Sequence, residues 1–365
     1  MISRIIQYLR SDPIAILVIF LPLAAVAEYA GWSEVLVFGL SALGVIPMAR
    51  FIGTSTEALA HYTGPRLGGL LNATLGNAAE LIITIFAIRA GLLELVKASI
   101  TGSILGNLLL VMGMALLLGG LKNGWQRFDR KHATNNAILL TLAVVALVVP
   151  SLFSHYIGTN ESIGVEALSL GVAAIMIVLY ALGLVFSYRG GAKSPVVAPV
   201  EEAEVATHKA PGWSLRTALI VLGAATIGVA YLSELLVGAV EPVVESLGIS
   251  EFFLGIILIP LIGNVAEHLV AVQVAIQNKM ELSVEISLAS SLQIALFVAP
   301  ILVFISLLFG NPLQLIFNEF ELIAMIACVL IAALVSADGE SNWLEGAELL
   351  AIYLILALAF FLIPG

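Results

Sequence analysis

Two pentapeptides, GNAAE at Gly76–Glu80 and GNVAE at Gly263–Glu267, agree at four of five positions and stand 187 residues apart. Each lies in an apolar run, where an ionised carboxylate costs several kcal/mol by most estimates. Two such acids brought together have two stable conditions. They carry protons, or they both ionise around a bound cation. A hard divalent cation suits the second condition, since Ca²⁺ takes about 6–8 oxygen ligands. Glu80 and Glu267 supply carboxylate oxygens. Asn77, Asn264, nearby serine hydroxyls, backbone carbonyls and water offer the others. Gly76 and Gly263 are expected to break their helices and turn those carbonyls toward a cavity. Metal binding requires deprotonated ligands, so cation and protons exclude each other and the site trades one for the other. Two carboxylates account for two protons per cation. Glu57 is expected as an accessory acid that carries a further proton or guides the ion, with Glu234 second to it.

The elements that position these residues follow from composition. The 365 residues are 61% hydrophobic and 11% charged, with a mean hydropathy of +1.10. A soluble chain carries roughly 25% charged residues, so this one lacks the polar side chains to cover a surface in water. An all-α integral membrane protein is expected. Its apolar runs are continuous rather than alternating, which excludes a closed barrel. Segments of about 20 residues, the length a bilayer core needs, give eleven spans near 13–31, 34–60, 67–88, 97–120, 133–153, 164–188, 214–240, 251–277, 283–309, 317–337 and 343–363. The first is read as a retained helix rather than a cleaved signal. With the N-terminus in the cytoplasm, twelve Lys and Arg residues fall in cytoplasmic segments. Only Arg89 and Lys97 fall outside, and Arg50 lies in or at the end of a span. That asymmetry is the one a correct topology shows. Residues 189–213, rich in Gly, Pro and Ala and carrying Glu201, Glu202 and Glu204, read as a cytoplasmic linker. The chain therefore divides into an N-terminal helix (1–32), five helices (33–188), the linker, and five more (214–365).

The two pentapeptides each fall in the second span of a five-helix set. Each is followed by a serine pair spaced four apart, Ser99 and Ser103 in one copy and Ser287 and Ser291 in the other. This is an internal duplication. Five is odd, so the second copy enters the membrane in the opposite sense. Inverted repeats of this kind build secondary transporters, whose sites lie near the midplane where the copies meet.

Other functions are excluded or left open. A net charge of −10 offers no basic face for nucleic acid. The single Cys328 permits neither an intrachain disulfide nor a multi-thiolate metal site, and reads as a buried thiol. A hydrolase lacks its motifs, and no cofactor is expected. A passive channel gains its pore from oligomeric symmetry, whereas this chain carries its own repeat. The bland alternatives are an ion pair with a buried base for the glutamates (His268 is nearest in sequence), helix-helix hydrogen bonds for the asparagines, and close packing for the serines. Glu28 reads as interfacial, as do Glu345 and Glu348 at the start of the last span. Gln293 could face either way.

GNAAELI with KASITGSILGNLLLVMG, and GNVAEH with NKMELSVEISLASSLQIALFVAP, resemble the two signature regions of the Ca²⁺/H⁺ exchangers (the CAX family of the cation/Ca²⁺ exchanger superfamily). TSTEALA before GPRLGGLLNAT, and DGESNWLEG before the last span, are similar to that family too. The resemblance runs from about residue 40 to the C-terminus. It implies 1 + 5 + 5 helices, with Glu80 and Glu267 central to exchange of Ca²⁺ and H⁺. It further implies that Asn77, Asn264 and hydroxyls near Ser103 and Ser291 line the site, and that the long second and seventh helices move to alternate access. Export of cytosolic Ca²⁺ across a prokaryotic inner membrane is the expected role. Na⁺-coupled Ca²⁺ exchange is the alternative, although such exchangers would carry a Ser/Thr-rich, Pro-containing motif before the Glu. The linker, with three clustered glutamates, makes a poor Ca²⁺ collector. The sequence leaves the oligomeric state open, a homo-oligomer included.

Overall fold

The computed structural model describes residues 13–63, 68, 71, 72, 74–157, 162–190 and 213–363. Most of the expected linker (191–212) and residues 1–12 lie outside the described residues, with Arg4, Arg10, Arg66, Lys193, Lys209, Glu201, Glu202 and Glu204.

A 3-10 stretch, Pro13–Ile19, runs into α1 (Phe20–Tyr29). α2 (Glu34–Thr63) has 30 residues, long enough at about 1.5 Å per residue to cross a bilayer with length to spare. α3 (Ala78–Ala90) and α4 (Leu93–Asn123) form a hairpin. The strand β1 (Gln126–Arg127) leads to α5 (Arg130–Ile157) and α6 (Ile163–Gly190). The second half holds α7 (Leu215–Gly238), α8 (Val240–Leu247), α9 (Glu251–Ile276), α10 (Met280–Leu308), α11 (Glu319–Val335), β2 (Glu340–Ser341) and α12 (Trp343–Phe361).

Each expected span contains helix among the described residues, although the span near 67–88 is a regular helix only from Ala78. Among the described residues, eight helices are long and apolar enough to cross a membrane, while α1, α3 and α11 are shorter. The short α8 was not expected. It buries Val240 and Val243 and exposes Glu241 and Glu245, so it is amphipathic and too short to leave a periodic trace in an apolar window.

The helix ends are set by local chemistry. Asp129 caps α5 by accepting from the His132 backbone N–H at 3.0 Å, a bond that holds its carboxyl below the usual carboxylate range. Asn318 with Glu321 and Asn342 with Glu345 form reciprocal caps that open α11 and α12. Glu345 thus closes a helix end, in keeping with its expected place at the start of the last span.

α3, α4, α9 and α10 form the centre. α2 and α7 lie along each other and pack against α9 and α3 respectively. α4 and α10 are the most enclosed spans, whereas α6 and α12 turn side chains such as Ile175, Leu182, Leu354 and Leu358 outward. Outward Leu and Ile on a helix that satisfies its own backbone are at home against lipid.

The two hairpins match in detail. α3 ends on Gly91 (φ 84°) and α9 on Asn278 (φ 63°), again 187 residues apart. Asn tolerates this left-handed geometry better than most residues. In each hairpin the next amide closes the same turn: Leu92 N–H donates to Ala87 O, and Lys279 N–H to Val274 O, both at 2.9 Å.

α4 and α10 also each contain one wide π-helical turn, Gly106–Val111 and Ile294–Val298. These fall at nearly equivalent places, just past the serines near the glutamates. Turns of this kind insert a residue into the ladder and re-aim the side chains around it, often at functional sites. A third lies at Leu254–Leu258, ahead of the second pentapeptide.

Candidate functional site

Glu80 sits in the first turn of α3, where the helix dipole favours an anion, and is 1% exposed. The Ser103 hydroxyl on α4 donates to its Oε1. From the other repeat, Asn264 Nδ2 on α9 reaches its Oε2 at 3.5 Å, the long limit of a hydrogen bond. Glu267, one turn past Asn264, is half-buried and accepts from Ser290 Oγ on α10 at 2.9 Å. Asn107 Nδ2, in the wide turn of α4, donates to that same Ser290 Oγ at 3.0 Å. Asn77 Nδ2 donates to Gln293 Oε1 at 2.8 Å. Ser103, Asn264 and Ser290 thus bring neutral donors to the two carboxylates, and each repeat supplies groups to the other.

The glycines explain the closeness. A Cβ on Gly76 would stand 3.2 Å from Glu267 Oε1, and a Cβ on Gly263 would stand 3.5 Å from Glu80 Cβ. The glycine of each pentapeptide lies against the glutamate of the other. Gly76 interrupts the helix as expected, since residues 76 and 77 form a turn before α3 begins at Ala78. Gly263 does not. It lies inside the continuous helix of α9, and the irregular turn comes earlier, at Leu254–Leu258. The expected break at Gly263 is corrected: its lack of a side chain serves helix contact, not flexibility.

Asn77 Oδ1 is buried and has no hydrogen-bond partner among the described residues. An acceptor buried without a donor is costly, and it is the type of oxygen that a hard cation takes. His268 forms no ion pair with the glutamates, as both of its buried ring nitrogens lack hydrogen-bond partners among the described residues.

Three further expectations are revised. Ser291 donates to the Ser287 carbonyl at 2.9 Å, and the neighbouring Ser290 occupies the place expected for it. Ser103 and Ser290 each stand 23 residues past their glutamate, so the duplication runs in this register and not through the pair Ser287 and Ser291. Ser99 is buried, and its hydroxyl has no hydrogen-bond partner among the described residues. Glu57 is half-buried on α2, and among the described residues no three acidic, His or Cys groups converge, so it does not join Glu80 and Glu267 as a third ligand. Glu234 faces Arg89 at 3.8 Å with both side chains largely exposed, a solvated pair rather than an intramembrane acid. Asn107, Ser290 and Gln293 enter the network instead. Ser290→Ala is expected to raise the KM for the transported cation by about 10-fold, the cost typical of losing an outer-shell partner. Ser291→Ala should leave it unchanged in the same flux assay.

The family model described as "Sodium/calcium exchanger protein" matches residues 33–189 and 217–362. The chain is 46% identical over 368 residues to the Ca(2+)/H(+) antiporter of Synechocystis sp., covering 97% of this chain and 98% of that one. It is 45% identical over 346 residues to the Ca(2+)/H(+) antiporter ChaA of Bacillus subtilis, covering 94% and 96%. The solved structure of native YfkE matches with a TM-score of 0.83 at 42% identity, over 96% of this chain and 99% of that chain.

Proposed function

Because this chain belongs to the sodium/calcium exchanger protein family, and within it to the Ca²⁺/H⁺ antiporters, we propose that it exchanges Ca²⁺ for protons across a membrane by alternating access. The observation that carries the reading is the crossed arrangement of the two pentapeptides, which puts two carboxylates among neutral oxygens at the meeting of the repeats. Ca²⁺ bound there is held by Glu80 and Glu267, by Asn77 Oδ1 and Asn264 Oδ1, and by Ser103 and Ser290 hydroxyl oxygens. The remaining oxygens of a set of about 6–8 come from backbone and water. When protons replace the ion, both carboxyls become neutral. Neither condition leaves a bare charge in a low-dielectric site, so both are able to cross the transport cycle, while the empty ionised site is not.

α2 and α7, packed along each other at the side of the centre, are the elements that move in this cycle. Glu57 on α2 serves as an accessory acid on the approach to α9. Transport needs no cofactor and catalyses no covalent step. The twelve-to-two distribution of basic residues supports a cytoplasmic N-terminus, and we place the protein in a prokaryotic inner membrane as an exporter of Ca²⁺.

Everted vesicles made acidic inside are expected to take up Ca²⁺ in exchange for protons. Uptake driven equally well by a sodium gradient would replace the proton with Na⁺ as coupling ion. The pH dependence has a fixed sign. Protons compete with Ca²⁺ for the same carboxylates, so the KM for Ca²⁺ rises as the pH on the loading side falls. With two protons in competition the rise in the acid limb is steeper than about tenfold per pH unit, the one-proton limit.

A further inference from the structure

We infer that Asn123 and Asn311 are a matched pair of positioning residues. Each reaches from one repeat to the other and holds the far end of the opposite glutamate helix. Asn123 ends α4, and its Nδ2 donates to the last carbonyls of α9, Ala275 O and Ile276 O, at 3.2 Å each. Asn311 follows α10, and its Nδ2 donates to Ile88 O near the end of α3 at 2.9 Å. Ile88 and Ala275 are 187 residues apart, the offset of the two pentapeptides. The same contact is made twice, once on each side of the membrane.

The chemistry is that of a helix end. Its final carbonyls lack the donor one turn further on. The turn that follows supplies one donor to each, Gly91 N–H to Ile88 O and Asn278 N–H to Ala275 O, both at 3.0 Å, which leaves room for a second. A neutral amide supplies one without placing a charge near a site whose own charge must change. Gln126 reinforces one end only: its Nε2 donates to Ala275 O and to Asn278 Oδ1, both at 3.0 Å. The final carbonyls of α9 therefore receive three such bonds and those of α3 one.

The consequence for the site is geometric. Glu80 lies two turns before Ile88, and Glu267 two turns before Ala275. A helix is stiff along its axis over two turns, so holding its end fixes the height of its glutamate. Oxygen ligands to Ca²⁺ must lie at about 2.3–2.6 Å, and a shift of a few tenths of an ångström loosens them. α3 and α9 each take their height from the third helix of the other repeat.

The inference rests on Glu80 and Glu267 being the exchange site. The test uses the full-length protein with Asn123→Ala, Asn311→Ala, and Asn123→Gln, which keeps an amide donor. Ca²⁺ uptake into everted vesicles gives KM and Vmax, and equilibrium Ca²⁺ binding to purified protein gives Kd without transport. Asn123→Ala and Asn311→Ala are each expected to weaken Kd and raise KM by about 10-fold, with Vmax per folded molecule kept. Asn123→Gln should return both to within about threefold of the parent. Unchanged Kd and KM, with only a lower melting temperature or yield, would make the caps structural and overturn the inference. If Asn123→Ala yields no folded protein, Asn311→Ala decides the test, because it removes the matching bond at the end of α3. Glu80→Gln separates the two levels. Uptake that survives that change removes the exchange site itself, whereas uptake lost there with Asn variants of parental Kd removes only the positioning role.

Discussion

Glu80→Gln and Glu267→Gln are each expected to abolish Ca²⁺ uptake, a loss of more than about 100-fold, since a direct ligand should matter more than the outer-shell partners that cost 10–100-fold. The amide keeps the size of the side chain and one acceptor oxygen, so Ser103 and Ser290 keep a hydrogen-bond partner and the fold should persist. What is lost is the charge that offsets half of Ca²⁺ and the oxygen that a proton would occupy. A site with one glutamine imitates the half-protonated condition permanently. The pairing across repeats predicts that either change alone suffices, because the two carboxylates serve one ion. Uptake into acid-inside vesicles, measured beside the amount of folded protein in the same membranes, checks both parts. Parental flux in either variant would show that the two glutamates do not form one site.

Gly102→Val should have the largest effect on stability. A Cβ at Gly102 would stand 2.0 Å from the carbonyl oxygen of Ile256 and 2.6 Å from its carbon, both backbone atoms that no rotamer change can move. On the facing helix, a Cβ at Gly255 would meet Ala98 Cβ at 2.7 Å and Leu95 O at 2.9 Å. α4 and α9 thus touch backbone to backbone through two small residues, the contact that joins helices where lipid offers no hydrophobic drive. Valine must push the helices apart. Overpacking typically costs about 1–3 kcal/mol, and this backbone contact belongs at or above the upper end. The site would suffer too, since Ser103 is the next residue. Gly106→Ala, one turn on, is the control: nothing lies within 4 Å of its Cβ position, and alanine is the better helix former. Melting curves of the two variants in detergent should differ widely, with Gly106→Ala within about 1 kcal/mol of the parent.

The sequence displayed some of this plainly. A glutamate in an apolar run has few explanations, so Glu80 and Glu267 identified themselves, and their shared pentapeptide exposed the inverted repeat. The continuous apolar runs located the helices. The serine register was harder, because SLASSLQ offers three serines and a four-residue spacing selects the wrong pair. Counting 187 from Ser103 gives Ser290 directly, so the signal was present but a local pattern obscured it. Asn107 and Gln293 were beyond such reasoning. They meet their partners beside π-helical turns, and the bonding of one extra residue leaves no mark in hydrophobic periodicity. The role of Gly263 was likewise undecidable from type, since a glycine that bends a helix and one that lets a neighbour approach are the same letter.

The small ribbon of β1 and β2 pairs Gln126 with Ser341 and Arg127 with Glu340. On a ribosome these residues are made far apart in time. Asn123 at the end of α4 and Gln126 just after it emerge first, the end of α9 arrives some 150 residues later, and β2 follows later still. Until the second repeat follows, the first hairpin lies in the bilayer with Glu80 facing no Asn264, and with the end of α3 lacking Asn311. The early half therefore waits in the membrane with an incomplete polar surface. For this protein the vulnerable period is biosynthesis, and the second repeat is what brings the waiting carboxylate Asn264 and the waiting helix end Asn311.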